Sequence, residues 1–214
     1  DGFKGPIACC IASQEFYETD RSRGFVRGYT LQTVRSVAPA LTAMGAMAGN
    51  PVPWGEGHRR EFERVFGRTV SMNAICEDLP EPENRVELDP QLVDDDGIPA
   101  PRVIYRLSEN SSKMLEHGVA RAREVMQAAG ASEVFADYPK RDTGWHLLGT
   151  ARMGKDPETS VVNSWGRCHD VPNLFIVDGS VFVTSGGVNP GSTTQAVAHY
   201  IADQIKQNLG NLFD

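Results

Sequence analysis

The feature that most constrains the fold is a continuous apolar run followed by a glycine-rich loop and a helix pattern. The run spans Leu174–Val177 within NLFIVDGS and contains no polar residue, which is typical of a strand buried on both faces of a parallel sheet. Asp178 and Gly179 follow it directly, and a helix pattern begins at Pro190. Because ligands of open α/β sheets bind beyond the carboxyl ends of the strands, the sequence predicts a ligand site in this loop.

Earlier in the chain, shorter segments alternate between apolar and polar residues, as the strands of an antiparallel sheet do. Strands are predicted over five segments, residues 6–12, 25–34, 69–77, 84–89 and 102–107. Apolar residues at helical spacing predict a short helix within 37–55 and two longer helices over 57–67 and 108–131. The character of the sequence changes near residue 140. We therefore expect a mostly antiparallel α+β domain over 1–140 and the tail of an α/β domain over 141–214.

Composition excludes several classes of function. The 214 residues carry a formal net charge of −7, whereas a nucleic-acid-binding surface needs an excess of positive charge. No apolar run is long enough to cross a bilayer, and no secretory leader pattern is present. The four cysteines lack the spacing of a zinc site, and Cys9 and Cys10 fall in the first predicted strand as small apolar residues. The chain begins with Asp1, and we expect it to be part of a longer protein.

Three blocks occur in a fixed order in the last third of the chain: HLLGTARMG at 146–154, VPNLFIVDGSVF at 171–182 and GGVNPGSTTQAVAHYIADQI at 186–205. Together they resemble the glucose–methanol–choline (GMC) family of flavoprotein oxidoreductases. The resemblance implies FAD as the cofactor. It also implies that residues 141–214 are the C-terminal part of a Rossmann-like FAD-binding domain and that residues 1–140 form the substrate-binding domain.

Members of this family begin with a GxGxxG segment that holds the adenine dinucleotide half of FAD. No such segment occurs here, since GAMAG at 45–49 has the wrong glycine spacing and no preceding strand. The chain therefore resembles the C-terminal part of such an enzyme. The expected partners are the missing N-terminal FAD-binding segment and a small alcohol or sugar. Without that segment, we expect the chain to bind FAD weakly or not at all and to tend to aggregate.

Two polar residues in these blocks are candidates for the chemistry. Oxidation of an alcohol by a flavin removes a hydride from carbon and a proton from oxygen, and histidine is a suitable base for that proton. The resemblance assigns this role to His146, for which the alternative is a packed histidine that caps a turn. Asn189 matches a second polar position, where an amide can bind the substrate oxygen but cannot exchange a proton. Its alternative role is the N-cap of the following helix.

The resemblance also assigns cofactor contacts to Asp178, Gly179, Asn189, Pro190 and Thr193. A helix that begins at Pro190 would turn its partial positive charge and free N–H groups towards the flavin ring. For Asp178, the alternative is an Asx turn that serves the backbone alone. The remaining histidines receive no catalytic role, and His58 and His117 are expected to be solvated on surface helices.

The function implied is the oxidation of a CH–OH group in a sugar, polyol or alcohol, with hydride transfer to FAD. Two alternatives remain open. The first is a hydroxynitrile lyase, which keeps the flavin without using it for redox chemistry. The second is a non-catalytic subunit of a dehydrogenase complex, which would need neither His146 nor Asn189.

Overall fold

The structure is a computed structural model that describes residues 10–34, 39–44, 53–139 and 145–212. The chain forms two units, residues 1–77 with 110–143 and residues 78–109 with 144–214. These units differ from the predicted division near residue 140, because the segment 78–109 groups with the C-terminal residues. The assignment of a substrate role to 1–140 and a cofactor role to 141–214 remains a prediction.

The first unit contains a three-stranded antiparallel sheet in the order β1–β2–β3, formed by Ala12–Ser13, Tyr29–Val34 and Ser71–Cys76. In the register of β2 and β3, Tyr29 lies opposite Cys76 and Val34 lies opposite Ser71. The first three residues of β2 are buried, because this strand has a neighbour on each edge and a helix over one face.

The helices of this unit are α1 (Pro39–Ala43), α2 (His58–Val65) and α3 (Glu109–Ala128, whose first residue belongs to the second unit). Met114 of α3 is fully buried in a core with Phe25, Tyr29 and Leu31. At Gly118, α3 approaches the sheet so closely that a Cβ atom would lie 2.9 Å from the Cβ of Ala74. The helix and the sheet therefore share one apolar layer.

The second unit contains a hairpin and the C-terminal segment. Strands β4 (Arg85–Val93) and β5 (Pro99–Ile104) pair antiparallel with a register shift between Leu88 and Val93. The turn between them is held by Asp94, whose Oδ1 accepts the N–H groups of Asp96 and Ile98 at 3.0 and 2.9 Å. The acidic run at 94–96 is thus an exposed turn.

The rest of the second unit is mostly irregular backbone packed beside α4 (Gly191–Gln207). Val162, Val181 and Ile201 are fully buried. Ile201 packs against Gly166, where a Cβ atom would lie 2.8 Å from its Cδ1 and where φ is +79°. Glycine is needed at this position for both reasons.

The predicted parallel strand at 174–177 is wrong for the part of the chain that the structure describes. These residues form no strand, and Phe175 makes a single antiparallel bridge to Arg167. Leu174 and Val177 are 47% and 44% exposed. The physical reason is that the run pairs with an antiparallel segment instead: the N–H of Cys168 donates to the carbonyl oxygen of Leu174, and the N–H of Ile176 donates to that of Gly166, each at 2.9 Å. The described residues supply no parallel neighbour for this run. The antiparallel pairing predicted for the earlier segments is confirmed, but in two small sheets rather than one.

The predicted first strand also changes. Residues 1–9, with Cys9, lie outside the described residues, as do 37–38 and 45–52 of the predicted short helix and its loop. The described part begins with an exposed Cys10 and an Ile11 that is 79% exposed. Because β1 is a two-residue edge strand, it buries neither side chain.

The prediction that His117 is solvated is wrong as well. Its Nδ1 lies 2.7 Å from the hydroxyl of Tyr29, and its ring makes edge contacts with Phe16 and Phe25. His117 follows Met114 by three residues and so shares the buried face of α3. Burial lowers the pKa of His117 below the ordinary value of histidine, and nearby arginines add to this effect.

Among the described residues, no helix is both long and apolar enough to cross a membrane. The same residues bring together no group of three or more histidine, cysteine or acidic side chains that could hold a metal ion.

Because the pKa of His117 is lowered in the folded state, we expect the free energy of unfolding to depend on pH. The folded state binds a proton at His117 less readily than the unfolded state does. The resulting contribution to the free energy of unfolding is therefore complete above about pH 6.5 and is lost as the pH falls below that value. We expect the melting temperature to fall between about pH 7.5 and about pH 5.5, and to fall less in His117→Gln. Thermal unfolding followed by circular dichroism measures this, with His199→Gln, an exposed histidine, as the control. An equal fall in wild type and His117→Gln would contradict the prediction.

Candidate active site

The segment that carries His146 is held against a short 3₁₀ turn. This turn spans Gly179–Val181, and three backbone hydrogen bonds join it to the 149–153 segment. The N–H groups of Gly149, Ala151 and Met153 donate to the carbonyl oxygens of Gly179, Ser180 and Val181 at 3.2, 2.9 and 2.9 Å, respectively. The ladder fixes the backbone that follows His146 relative to the turn.

Gly179 permits the close approach of this segment. A Cβ atom at Gly179 would lie 2.8 Å from Cδ2 of Leu148 and 3.2 Å from the carbonyl oxygen of Leu147. A side chain at this position would therefore push residues 147–148 outward, and His146 with them. Gly179, which the sequence analysis predicted as a site residue, can lie this close to the segment of His146 because it has no side chain.

The second wall of the site is the start of α4. Pro190 is the N-cap residue of this helix, and no side chain caps at that position. The carbonyl oxygen of Pro190 accepts the N–H of Thr194 at 2.9 Å and its hydroxyl at 3.1 Å. Proline suits this helix start, since the first N–H groups of a helix have no partner within the helix. Asn189 thus precedes the N-cap by one residue.

The structure brings His146 and Asn189 together. Nε2 of His146 lies 3.4 Å from Nδ2 of Asn189, which is longer than the ~2.7–3.2 Å of a typical N–H hydrogen bond. His146 is half-buried, whereas Asn189 is exposed. Two side chains that are 43 residues apart in the sequence therefore present a ring nitrogen and an amide towards the same solvent-accessible space.

These residues line an open cleft of about 540 Å³. One part of its wall is apolar and another part is polar, and the backbone of the α4 N-terminus forms its edge. The lining residues are Trp145, His146, Leu147, Leu148, Gly179, Asn189, Pro190, Gly191, Thr194 and Gln195.

Two predicted cofactor residues do not line this cleft. Thr193 is exposed outside it, and Thr194 lines it instead, because consecutive helical residues point about 100° apart. Asp178 accepts the N–H of Ser180 at 2.8 Å and caps the 3₁₀ turn. Its bonds to Ser180 lower the pKa of the carboxyl group. This is the Asx-type arrangement weighed as the alternative, and contacts of Asp178 and Thr193 with a cofactor remain a prediction.

Sequence reasoning missed several residues of the cleft. The predicted base His146 is flanked in the sequence by Trp145, Leu147 and Leu148. Their closeness to His146 in the sequence could have identified them as site residues. Gln195 lies four residues after Gly191, which is the spacing of one helix face. Neither signal was specific enough to separate these residues from an ordinary helix or loop.

Comparisons with known proteins identify the family of the chain. The chain belongs to the GMC oxidoreductase family, whose model matches residues 80–198. The matched region contains every residue of the cleft. The prediction that the chain is a member of this family is confirmed.

Three relatives show how much of such a protein the chain represents. The 2-methyl-1,2-propanediol dehydrogenase of Mycolicibacterium austroafricanum is 43% identical over 100% of this chain, which covers 39% of that protein. The 6'''-hydroxyparomomycin C oxidase of Streptomyces lividus is 39% identical over 65% of this chain, or 26% of its own length. The fructose dehydrogenase large subunit of Gluconobacter japonicus is 35% identical over 70% of this chain, or 27% of its own length. The chain therefore spans less than half of each relative.

The close approach at Gly179 generates a prediction. Gly179→Ala should lower the free energy of unfolding by roughly 1–3 kcal/mol, because the new methyl group overpacks the contact with Leu147 and Leu148. Gly210→Ala is the control, since a Cβ atom there meets no atom within 4 Å, and we expect a change of about 0.5 kcal/mol or less. Chemical denaturation of the two variants measures the difference. Equal free energies of unfolding in the two variants would contradict the prediction, because they would show that residues 147–148 can move aside without loss of stability.

Proposed function

We propose that this chain is the C-terminal part of an FAD-dependent enzyme that oxidises the CH–OH group of a small alcohol or sugar. The observation that carries the proposal is the pair of His146 and Asn189, 3.4 Å apart in a cleft at the start of α4. The family membership of the chain supports the same reaction class. Among substrates, we favour short alcohols and diols, because the relative matched over the whole chain is named for a branched diol.

The backbone around the cleft fits a flavin ring. Gly191, the first residue of α4, has no atom within 4 Å of the place where a Cβ would be, so a planar ring has room to approach the helix N-terminus. The N–H groups of that first turn carry partial positive charge, which favours an electron-rich ring edge. When bound, FAD supplies the acceptor for the hydride that leaves the carbinol carbon.

We assign the proton step to His146. The substrate hydroxyl donates to Nε2 of His146, while Nδ2 of Asn189 donates to the hydroxyl oxygen. An oxygen at ~2.8–3.0 Å from both nitrogens fits a pair that is 3.4 Å apart. As hydride leaves, the imidazole takes the proton and the amide keeps the oxygen in place. Asn189 cannot itself take a proton near neutral pH.

The proposal assigns a different role to each of two parts of the chain. We assign residues 141–214 to the FAD-binding domain, since the described cleft residues lie within 145–195, and residues 1–140 to the substrate-binding domain. We also propose that strands of a Rossmann-like domain, supplied by an N-terminal segment of the longer protein, cover the run at 174–177. The exposed Leu174 and Val177 support this arrangement, because an apolar run of this kind is normally buried.

The two alternative functions differ from this proposal in one observable. A hydroxynitrile lyase would use the same histidine without reducing the flavin, and a non-catalytic subunit would turn over nothing. Loss of the visible flavin absorbance under anaerobic alcohol or sugar supports the oxidoreductase. A flavin that stays oxidised while a cyanohydrin is cleaved supports the lyase.

Replacement of His146 tests the proposed base. In the full-length protein, His146→Ala should lower kcat by roughly 100- to 10,000-fold, the usual contribution of a general base. The content of bound flavin should stay nearly the same, because the backbone ladder at 149–153 does not depend on the imidazole. Steady-state kinetics with an artificial electron acceptor and the flavin absorbance measure the two quantities.

The matched control is His199→Ala, which removes an exposed histidine of α4 that does not line the cleft. We expect this variant to keep wild-type activity. A loss smaller than about threefold in His146→Ala would refute the assignment of the base.

A further inference from the structure

The loop that leads to Asn189 is held by few contacts. Residues 183–188 form neither a helix nor a strand, and within the described part of the chain no backbone hydrogen bond joins them to another segment. Gly186 and Gly187 add conformational freedom just before Asn189. Ile201 anchors α4 only in the second half of the helix. The position of the Asn189 amide therefore needs a further contact.

Ser185 supplies such a contact. Its hydroxyl donates to the carbonyl oxygen of Asp78 at 2.7 Å, across 107 residues of sequence. Both residues are half-buried, and a hydrogen bond shielded from water is stronger than one on the surface. Ser185 and Asp78 belong to the same unit as His146 and Asn189. One hydroxyl thus ties the loop to the start of the segment that forms the hairpin.

Asp78 is itself bound to the base of the β4–β5 hairpin. The hydroxyl of Tyr105, the residue after β5, donates to Oδ2 of Asp78 at 2.8 Å. Asn84, the residue before β4, closes the base of the hairpin. Its Nδ2 donates to the carbonyl oxygen of Arg106 at 3.0 Å, and its Oδ1 accepts the N–H of Arg106 at 2.7 Å. The residue that accepts the Ser185 hydroxyl is therefore tied to a regular element of the fold.

We infer that Ser185 is a positioning residue for the alcohol oxidation: its bond to the carbonyl oxygen of Asp78 holds the loop 183–188 so that the Asn189 amide stays beside His146. Ser185 is not among the residues that line the cleft, so it acts through Asn189 and not by contact with the substrate. The inference rests on the proposed function, since it takes Asn189 as the amide that binds the substrate oxygen.

Removal of the hydroxyl tests this inference in the full-length holoenzyme. Ser185→Ala should slow the limiting rate of anaerobic flavin reduction by about 5- to 50-fold, because a small displacement of a catalytic group can cost up to about 100-fold. 2-Methyl-1,2-propanediol is the first reductant to use, since the relative matched over the whole chain is named for it. The content of bound flavin, measured by its visible absorbance, should equal that of wild type.

Two further variants separate positioning of Asn189 from a general loss of structure. In the Asn189→Ala background, Ser185→Ala should change the rate by less than about twofold, because a residue that acts through another has no effect once that other is removed. Ser185→Thr keeps a hydroxyl that can donate to Asp78 and should return the rate to within about threefold of wild type.

Asn208→Ala is the matched control. The amide of Asn208 donates to the carbonyl oxygen of Gln204 at 2.7 Å, so this variant also removes one half-buried side-chain bond to a carbonyl in the same unit. Asn208 lies at the C-terminal end of α4, whereas the cleft lies at the N-terminal end. We expect this variant to reduce its flavin at the wild-type rate.

Several results would overturn the inference while leaving the proposed function intact. These are a Ser185→Ala rate within about twofold of wild type, an equal fold loss with and without Asn189, a Ser185→Thr rate as low as that of Ser185→Ala, and loss of flavin from Ser185→Ala. A wild type whose flavin is reduced by no alcohol or sugar, or an Asn189→Ala protein with the wild-type rate, would instead refute the proposed function, and the inference with it.

Discussion

The candidate site depends on the short backbone ladder between residues 149–153 and the turn at Gly179–Val181. Neither segment is a regular strand, so the hydrogen bonds of a larger sheet do not position His146. The ladder does this with three bonds, and Gly179 allows the chain to approach without a side chain between the two segments. The side chain of Asp178 caps this 3₁₀ turn by accepting the N–H of Ser180. Asp178, which the sequence analysis predicted as a cofactor contact, thus stabilises the turn that holds the segment after His146.

A second constraint determines where the amide lies. Helix α4 is anchored in its second half by the buried Ile201, which packs against Gly166. Because the helix is fixed at that point, Asn189 is held at its start, within 3.4 Å of His146. The two side chains lie 3.4 Å apart because two separate contacts, the backbone ladder and the packing of Ile201, position their segments. The cleft is therefore a product of the irregular C-terminal backbone.

Local signals in the sequence predicted what depends on neighbouring residues alone. The helices α3 and α4 followed from apolar spacing. The run at 174–177 does not form the predicted parallel strand, because it pairs with the antiparallel segment 166–168 and the described residues supply no parallel neighbour. The prediction that His117 is solvated was wrong because its spacing of three residues from Met114 places it on the buried face of α3. The pairing of His146 with Asn189 was suggested only by resemblance, since no local pattern relates residues so far apart.

The proposed mechanism requires His146 and Asn189 to bind one substrate hydroxyl together. A crystal structure of the full-length holoenzyme with a bound, unreactive alcohol analogue tests it directly. We expect an alcohol oxygen within about 3.2 Å of both Nε2 of His146 and the side-chain nitrogen of Asn189. An analogue whose oxygen contacts only one of them, or that binds outside the cleft, would contradict the account.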